Sequence, residues 1–236
     1  QIRKCETELG ASLVHRTSHG VELTPAGRIL ARHGQLIENR LAQAGKDLEE
    51  YRRNGSTHIR LVAPPSVCSS FVARVLVHIS KSTDIRVSLM QMEPPEAVKA
   101  LHQGLADCAI TFRYNSLPGM DDSADLNTEC FGIDPLMLLV GASSSIAATY
   151  RHTQEPVNLS EACDESWIAG CETCQANLVS LAKAAGFSPN ITHSTDDYWA
   201  TQKLVEDGMG VSIVPRLATM AGLRGDLAAC PIRDAN

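Results

Sequence analysis

From His58 onward, short apolar runs alternate with helix-forming segments, and this alternation leaves few folds open. His58-Ile59-Arg60-Leu61-Val62-Ala63 reads as a strand, Pro64-Pro65-Ser66 as a turn, and residues 67–79 as a helix. Residues 85–91 read as a second strand, Pro94–Gln103 as a second helix closed by Gly104, and residues 107–112 as a third strand. Strands separated by single helices and short turns imply right-handed βαβ units on a parallel sheet. Ligands of such sheets sit beyond the carboxyl ends of the strands, which here are Ala63-Pro64-Pro65-Ser66 and Phe112-Arg113.

A polar loop over 117–125 separates this unit from a second subdomain. Its expected parts are a buried strand over 135–140, a strand Ser166–Ala169, a helix over 175–185 ended by Gly186, a strand Asn190–Ser194 and a helix over 197–207. Gly208-Met-Gly-Val-Ser-Ile-Val-Pro215 places a short buried strand just after a glycine turn, and residues 227–232 read as a segment returning toward the first subdomain.

Ahead of the alternation lies a different kind of sequence. Leu9-Gly10 has the form of a helix stop, and Thr24-Pro25 that of a helix start, with a capping hydroxyl followed by proline at the first helical position. Between them His15, Arg16, Ser18 and His19 form a basic turn, with Val21 and Leu23 alternating as in a short hairpin strand. From Pro25 to Arg53 the apolar residues keep a heptad, with Leu30, Ile37, Ala44 and Tyr51 on one position and Gly34, Leu41 and Leu48 on the other. Such a seam suits pairing with a second copy. Asn54-Gly55-Ser56 then makes a linker.

The chain's net charge of −6 hides an asymmetry. Residues 1–55 hold nine Lys/Arg against seven Asp/Glu, whereas the remainder holds twelve against twenty, so a head of +2 precedes a body of −8. That is the pattern of a nucleic-acid-contacting segment joined to a regulatory domain. No run of about eighteen apolar residues is present, so no membrane span is expected.

The ordered string Gln-Ile-Arg-Lys, Glu-Leu-Gly, His-Arg-Thr, a glycine and Leu-Thr-Pro-Ala-Gly resembles the recognition-helix end, wing and linker-helix start of LysR-type transcriptional regulators. Trp167-Ile-Ala-Gly170, Ala185-Gly-Phe-Ser-Pro189, Thr195-Asp-Asp-Tyr198 and Gly208-Met-Gly-Val-Ser-Ile-Val-Pro-Arg216 continue the likeness in order. The resemblance implies an α/β fold with a two-lobed, periplasmic-binding-protein-like (type 2) effector domain behind a partial winged helix-turn-helix and a long linker helix. The expected parts are residues 1–23, 24–55 and 56–236, with the first lobe at about 56–135 plus 228–236 and the second at about 136–227. Two helices and most of the recognition helix of the family pattern precede the matched string, and the closing strand and helix of the first lobe are not found. It further implies a cytoplasmic regulator that binds promoter DNA and a small-molecule effector, forms a homodimer or homotetramer, does not engage the membrane, and uses no cofactor or metal.

Candidate residues follow. For DNA these are Gln1 and Arg3, at the tail of the recognition helix with Ile2, and Arg16, Thr17, Ser18 and His19 of the wing, suited to phosphate contact. For the effector, Ser66 opens a helix at a strand end, so that its hydroxyl and the N–H groups of Val67 and Cys68 form an anion-friendly turn; the same position matches the family's effector-binding turn. Phe112 supplies an apolar wall, and Thr195 or Asp197 orients polar groups from the far side. Cys171-Glu-Thr-Cys174 precedes a helix whose N–H groups from Cys174 to Ala176 would converge with those at Ser66 on a carboxylate. Asp197 would oppose that charge and favour an amine or a sugar. Cys171 and Cys174 supply only two of the four ligands of structural zinc, with His193 as a third and no fourth.

The eight cysteines need no disulfide framework in a chain this rich in core, and Cys68 and Cys108 read as small hydrophobes in a reducing cytoplasm. Two rival functions remain. A Cys-dependent enzyme would use Cys171 or Cys68 with His193 or His152 as base, yet no nucleophile elbow or acid pair is present. A solute-binding receptor would have no use for the wing and heptad helix.

Overall fold

The chain enters through helix α1 (Ile2–Leu9) and an antiparallel hairpin of β1 (Val14–Thr17) and β2 (Gly20–Leu23), then runs into the long helix α2 (Pro25–Asn54). This is a computed structural model, and it describes residues 1–17, 20–55, 57–117 and 125–233. A few polar contacts lock the entry segment together. The Glu6 carboxylate accepts the Leu13 N–H at 2.8 Å. The Thr24 hydroxyl accepts the Gly27 N–H at 2.9 Å and donates to the Ser12 carbonyl at 2.7 Å, capping α2 and tying it to the hairpin. Gly27 matters for a second reason: a Cβ there would run into the Leu13 carbonyl, so only glycine lets the hairpin lie this close.

Helix α2 has two different faces. Leu36, Asn39, Gln43 and Asp47 are half-buried, at the spacing of one helical stripe. Next to this stripe, Arg40 donates to the Leu101 carbonyl at 3.0 Å. The heptad positions Ile37, Leu41 and Leu48 are instead 69%, 74% and 64% exposed. Their apolar seam is uncovered by any part of the described chain.

The first lobe is a parallel sheet in the order β4-β3-β5, from β3 (His58–Ala63), β4 (Arg86–Gln91) and β5 (Cys108–Ala109). The turn after β3 winds through α3 (Pro65–Val67) and a π-helical turn (Cys68–Val72) into α4 (Ala73–Ser82), while α5 (Pro94–Gln103) follows β4. Arg60 on β3 holds Asp107 through Nε at 2.9 Å and Nη2 at 2.6 Å, and donates from Nη1 to the Gly104 carbonyl at 2.8 Å. This bidentate pair ties the end of α5 and the start of β5 to β3.

The second lobe is built on β6 (Leu136–Gly141), with β10 (Leu227–Pro231) and β9 (Ser212–Pro215) antiparallel on its two sides. β7 (Ser166–Ala169) and β8 (Asn190–Ser194) pair in parallel, and Trp167 bridges to Val211 just before β9. Helices α6 (Ser145–Thr153), α7 (Glu172–Ala184), α8 (Tyr198–Glu206) and α9 (Arg216–Met220) surround it. β6 is apolar without interruption because both of its faces are covered: Leu136, Leu138 and Val140 join a cluster with Trp167 and Leu178, and Met137 and Leu139 one with Ile168 and Val205.

Several expectations need correction. The third strand, expected over 107–112, stops at Ala109; the Ile110 N–H still reaches the Val62 carbonyl at 2.9 Å, after which the chain leaves the sheet. The segment 227–232 does not return to the first lobe, because Leu227–Pro231 pairs along β6 of the second. Helix α7 starts at Glu172 rather than at 175, with Cys171 as its cap. Cys108 is exposed, since β5 is an edge strand with a single neighbour, and the buried cysteine is Cys230.

Candidate functional site

The strand ends of both lobes meet in a narrow cleft. Glu93 stands between β4 and α5, Cys171 and Cys174 lie at the start of α7, Thr195 follows β8, Tyr198 opens α8, and Tyr114 comes from the stretch after β5. These side chains enclose a cavity of about 20 Å³. That is room for about one water, since a water needs roughly 10–15 Å³ of such space. The cleft is therefore closed in this state.

Its electrostatics are unusual for an anion site. Burial, with Asp196 nearby, pushes the Glu93 carboxyl up, and the Cys171 thiol partly offsets this by a hydrogen bond. The other carboxyl oxygen, Oε2, is buried with no partner. Among the described residues, no Lys or Arg lines the cavity. Burial also pushes both phenols up: Tyr114 contacts Cys174, with Oη to Sγ at 3.4 Å, and Tyr198 hydrogen-bonds the Ser66 side chain across the cleft. The two thiols lie 3.0 Å apart. The hydrogen bond between them raises Cys171, with burial adding to the rise, and lowers Cys174, where burial opposes and Tyr114 assists.

The expected effector residues divide into those brought together and those not. Cys171, Cys174 and Thr195 line the cavity, and buried Ser66 reaches it through Tyr198. The amides expected to be free are taken. Val67 and Cys68 N–H both donate to the Pro64 carbonyl, at 3.1 and 3.0 Å, and Cys174 and Gln175 N–H are taken by the Cys171 Sγ and carbonyl at 3.4 and 2.8 Å. Converging bare N–H groups are thus not the basis of the site. Phe112 packs on Tyr114, ring centroids 5.3 Å apart, and does not line the cavity. Asp197 is exposed, and its carboxylate caps α8 by accepting Trp199 and Ala200 N–H at 2.8 and 3.3 Å. Glu93, Tyr114 and Tyr198 were not singled out from sequence. The signal for Glu93 was its place at a strand's carboxyl end, the position that Ser66 occupies one strand earlier.

At the other end, Gln1 and Arg3 are exposed on α1 and Arg16 is exposed on β1 opposite Val21. Thr17 closes the hairpin against Gly20, and Ser18 and His19 lie outside the described residues. Among the described residues, no helix is long and apolar enough to cross a membrane, and no group of three or more His, Cys, Asp or Glu is placed to hold a metal.

Known proteins share this fold. The family profile of the LysR substrate binding domain matches residues 52–236. The HTH-type transcriptional regulator AlsR of Bacillus subtilis (strain 168) is 25% identical over 226 residues, covering 92% of this chain and 70% of AlsR. The BenM effector binding domain with its effector benzoate superposes with a TM-score of 0.59 at 18% identity, covering 76% of this chain and 78% of that one. Full-length CbnR complexed with its target DNA superposes with a TM-score of 0.53 at 22% identity, covering 98% of this chain and 76% of CbnR. At such identities the two structures speak to the fold, a two-lobed effector domain behind a helical linker. With the profile spanning both lobes and a regulator aligned along 92% of this chain, the chain belongs to the LysR family of transcriptional regulators.

Proposed function

We propose that the cleft between the lobes is the effector site and that its occupant presents a hydrogen-bond donor to Glu93. The observation that carries this reading is the Glu93 Oε2, buried without a partner in a cavity that has no cationic side chain. Leaving such a group unpaired costs about 1–3 kcal/mol, and a bound amine or hydroxyl would offset it. A carboxylated effector is the second reading, favoured by the benzoate bound to the BenM domain. It requires Glu93 to take a proton, which burial makes easier.

The two readings have opposite pH dependence. Because the folded pKa of Glu93 is raised, the residue becomes protonated at a higher pH than a free carboxyl. An amine should then bind tightly above that pKa and lose affinity as pH falls through it, whereas an acid should gain. Titrating small amines, polyols and aromatic acids across pH while following thermal stability separates them, since a ligand at one hundred times its Kd adds about 2.7 kcal/mol. Glu93→Gln should flatten either profile and weaken an amine by about tenfold or more, or about 1.4 kcal/mol. An unchanged response in Glu93→Gln would remove Glu93 from the site.

The cleft is read as regulatory rather than catalytic. Among the described residues no histidine lines it, His193 is occupied with its neighbour Thr192 at 2.9 Å, and burial pushes the Cys68 thiol up, away from the reactive thiolate. A cytoplasmic setting suits eight unpaired cysteines.

For the output, CbnR bound to its target DNA is the guide: promoter DNA is taken to meet α1 and the hairpin through Gln1, Arg3 and Arg16, and a second copy to pair along α2. If Arg16 neutralises one phosphate, Arg16→Ala in the full-length protein should weaken all DNA sequences alike and lower the slope of log K against log salt by about one. Loss confined to one base position would contradict a backbone role.

A further inference from the structure

We propose that Cys171 and Cys174 are a reversible dithiol–disulfide pair, exchanging with low-molecular-weight disulfides, whose closure loosens the contact between the two lobes. This inference does not depend on what the effector is.

The geometry has three parts. The sulfurs are already 3.0 Å apart in the first turn of a 13-residue helix, where the helix terminus favours a thiolate. Both side chains are half-buried rather than fully enclosed, so a small reagent has an approach. Finally, each sulfur serves a neighbouring group, Glu93 of the first lobe for Cys171 and Tyr114, packed on the second lobe's core, for Cys174. Cys171 donates to Cys174 and lines the same small cavity as the Glu93 carboxyl, whose pKa it helps to hold down, and Cys174 Sγ is paired with the buried hydroxyl of Tyr114.

The chemistry balances with a small disulfide, RSSR, as oxidant. One cysteine thiolate attacks a sulfur of RSSR, forming a mixed disulfide and expelling RS⁻. The second cysteine, as thiolate, attacks the protein sulfur of that mixed disulfide and expels the other RS⁻. Two electrons pass from the cysteine pair to RSSR, and the two thiol protons end on the two RSH released.

The consequence for the lobes follows from the change in donors and acceptors. A disulfide has no proton for Glu93 and accepts poorly from Tyr114. The Glu93 carboxyl, one oxygen of which already lacks a partner, would lose the Cys171 donor, and the buried Tyr114 phenol would lose its contact with Cys174. Each such loss disfavours the closed cleft.

The test uses the whole chain equilibrated in glutathione and glutathione disulfide at fixed pH, with free thiols trapped by alkylation and disulfides mapped by mass. The oxidised-to-reduced ratio of the Cys171–Cys174 pair is expected to change tenfold for each tenfold change in the ratio of glutathione disulfide to the square of glutathione. Amide hydrogen exchange should rise around Glu93 and Tyr114 on oxidation and return on reduction. Cys171→Ser should stop at a mixed disulfide on Cys174 and form no intramolecular disulfide. If the wild-type pair forms no intramolecular disulfide, or forms one while exchange at Glu93 and Tyr114 stays the same, the proposal is overturned; both outcomes are read without a variant.

Discussion

Replacing Trp167 with Ala should cost about 3–5 kcal/mol, as is usual for emptying a large aromatic site in a core. The indole is fully buried, stacks on Phe187 at 6.0 Å between centroids, and joins β7 to the cluster that contains Leu138, Val140 and Leu178. Since domains keep only about 5–15 kcal/mol in hand, the loss is expected to appear as a large fall in urea midpoint with the slope preserved. Trp167→Phe offers the contrast. The indole Nε1 has no partner, so removing it forfeits no hydrogen bond, and the variant should lose much less than Trp167→Ala. Equal losses from the two changes would mean that packing at this position is not what holds the second lobe together.

The second large effect concerns association. Ile37→Glu or Leu41→Glu places one charge from each copy in the seam of α2, and an uncompensated buried charge costs about 3–5 kcal/mol, so the dimer dissociation constant should rise roughly a hundredfold or more. Because both side chains are mostly exposed in the single chain, the variants should keep their circular dichroism and thermal transition at high dilution. Sedimentation at matched concentrations measures the mass. A variant that keeps the parent's mass would show that the seam is not where two copies meet.

Much of the architecture could be read from local signals. Helix α5 starts and stops where expected, because Pro94 at its first position and Gly104 in the left-handed conformation at its end are both backbone necessities. Thr24 likewise caps α2 as its chemistry suggests. The misses share a cause, which is that the deciding partner is distant in sequence. Helix α7 is capped by a cysteine sulfur, an acceptor too weak to mark a helix start on its own. The third strand is short because β3 stops pairing with it after Ala109, and the final strand has the same apolar content whether it lies on one lobe or the other.

The site was less legible than the fold. Cys171, Cys174 and Thr195 gather because strand ends converge, which topology foretells. A glutamate ahead of two prolines reads as part of a solvated turn, yet here it lines the cavity beside Cys171 and Asp196 of the second lobe. The amides at Ser66 and Cys174 were expected to be bare, but each turn bonds to its own carbonyls or sulfur before any ligand arrives.

The contact of Arg40 with the Leu101 carbonyl makes α2 a lever rather than a tether. A Cβ on Gly104 would collide with the Arg40 side chain, so the helix rests directly on the end of α5. A helix of 30 residues is about 45 Å long, with the first lobe gripping its middle and the hairpin riding on its far end. Any rocking of the first lobe against the second, about a cleft only one water wide, is thus amplified with distance: a tilt of a few degrees at Arg40 becomes a displacement of ångströms at Arg16. The residues proposed for DNA contact would then register the state of the cleft as a change in spacing between the hairpins of two paired copies, without any change in the hairpin itself.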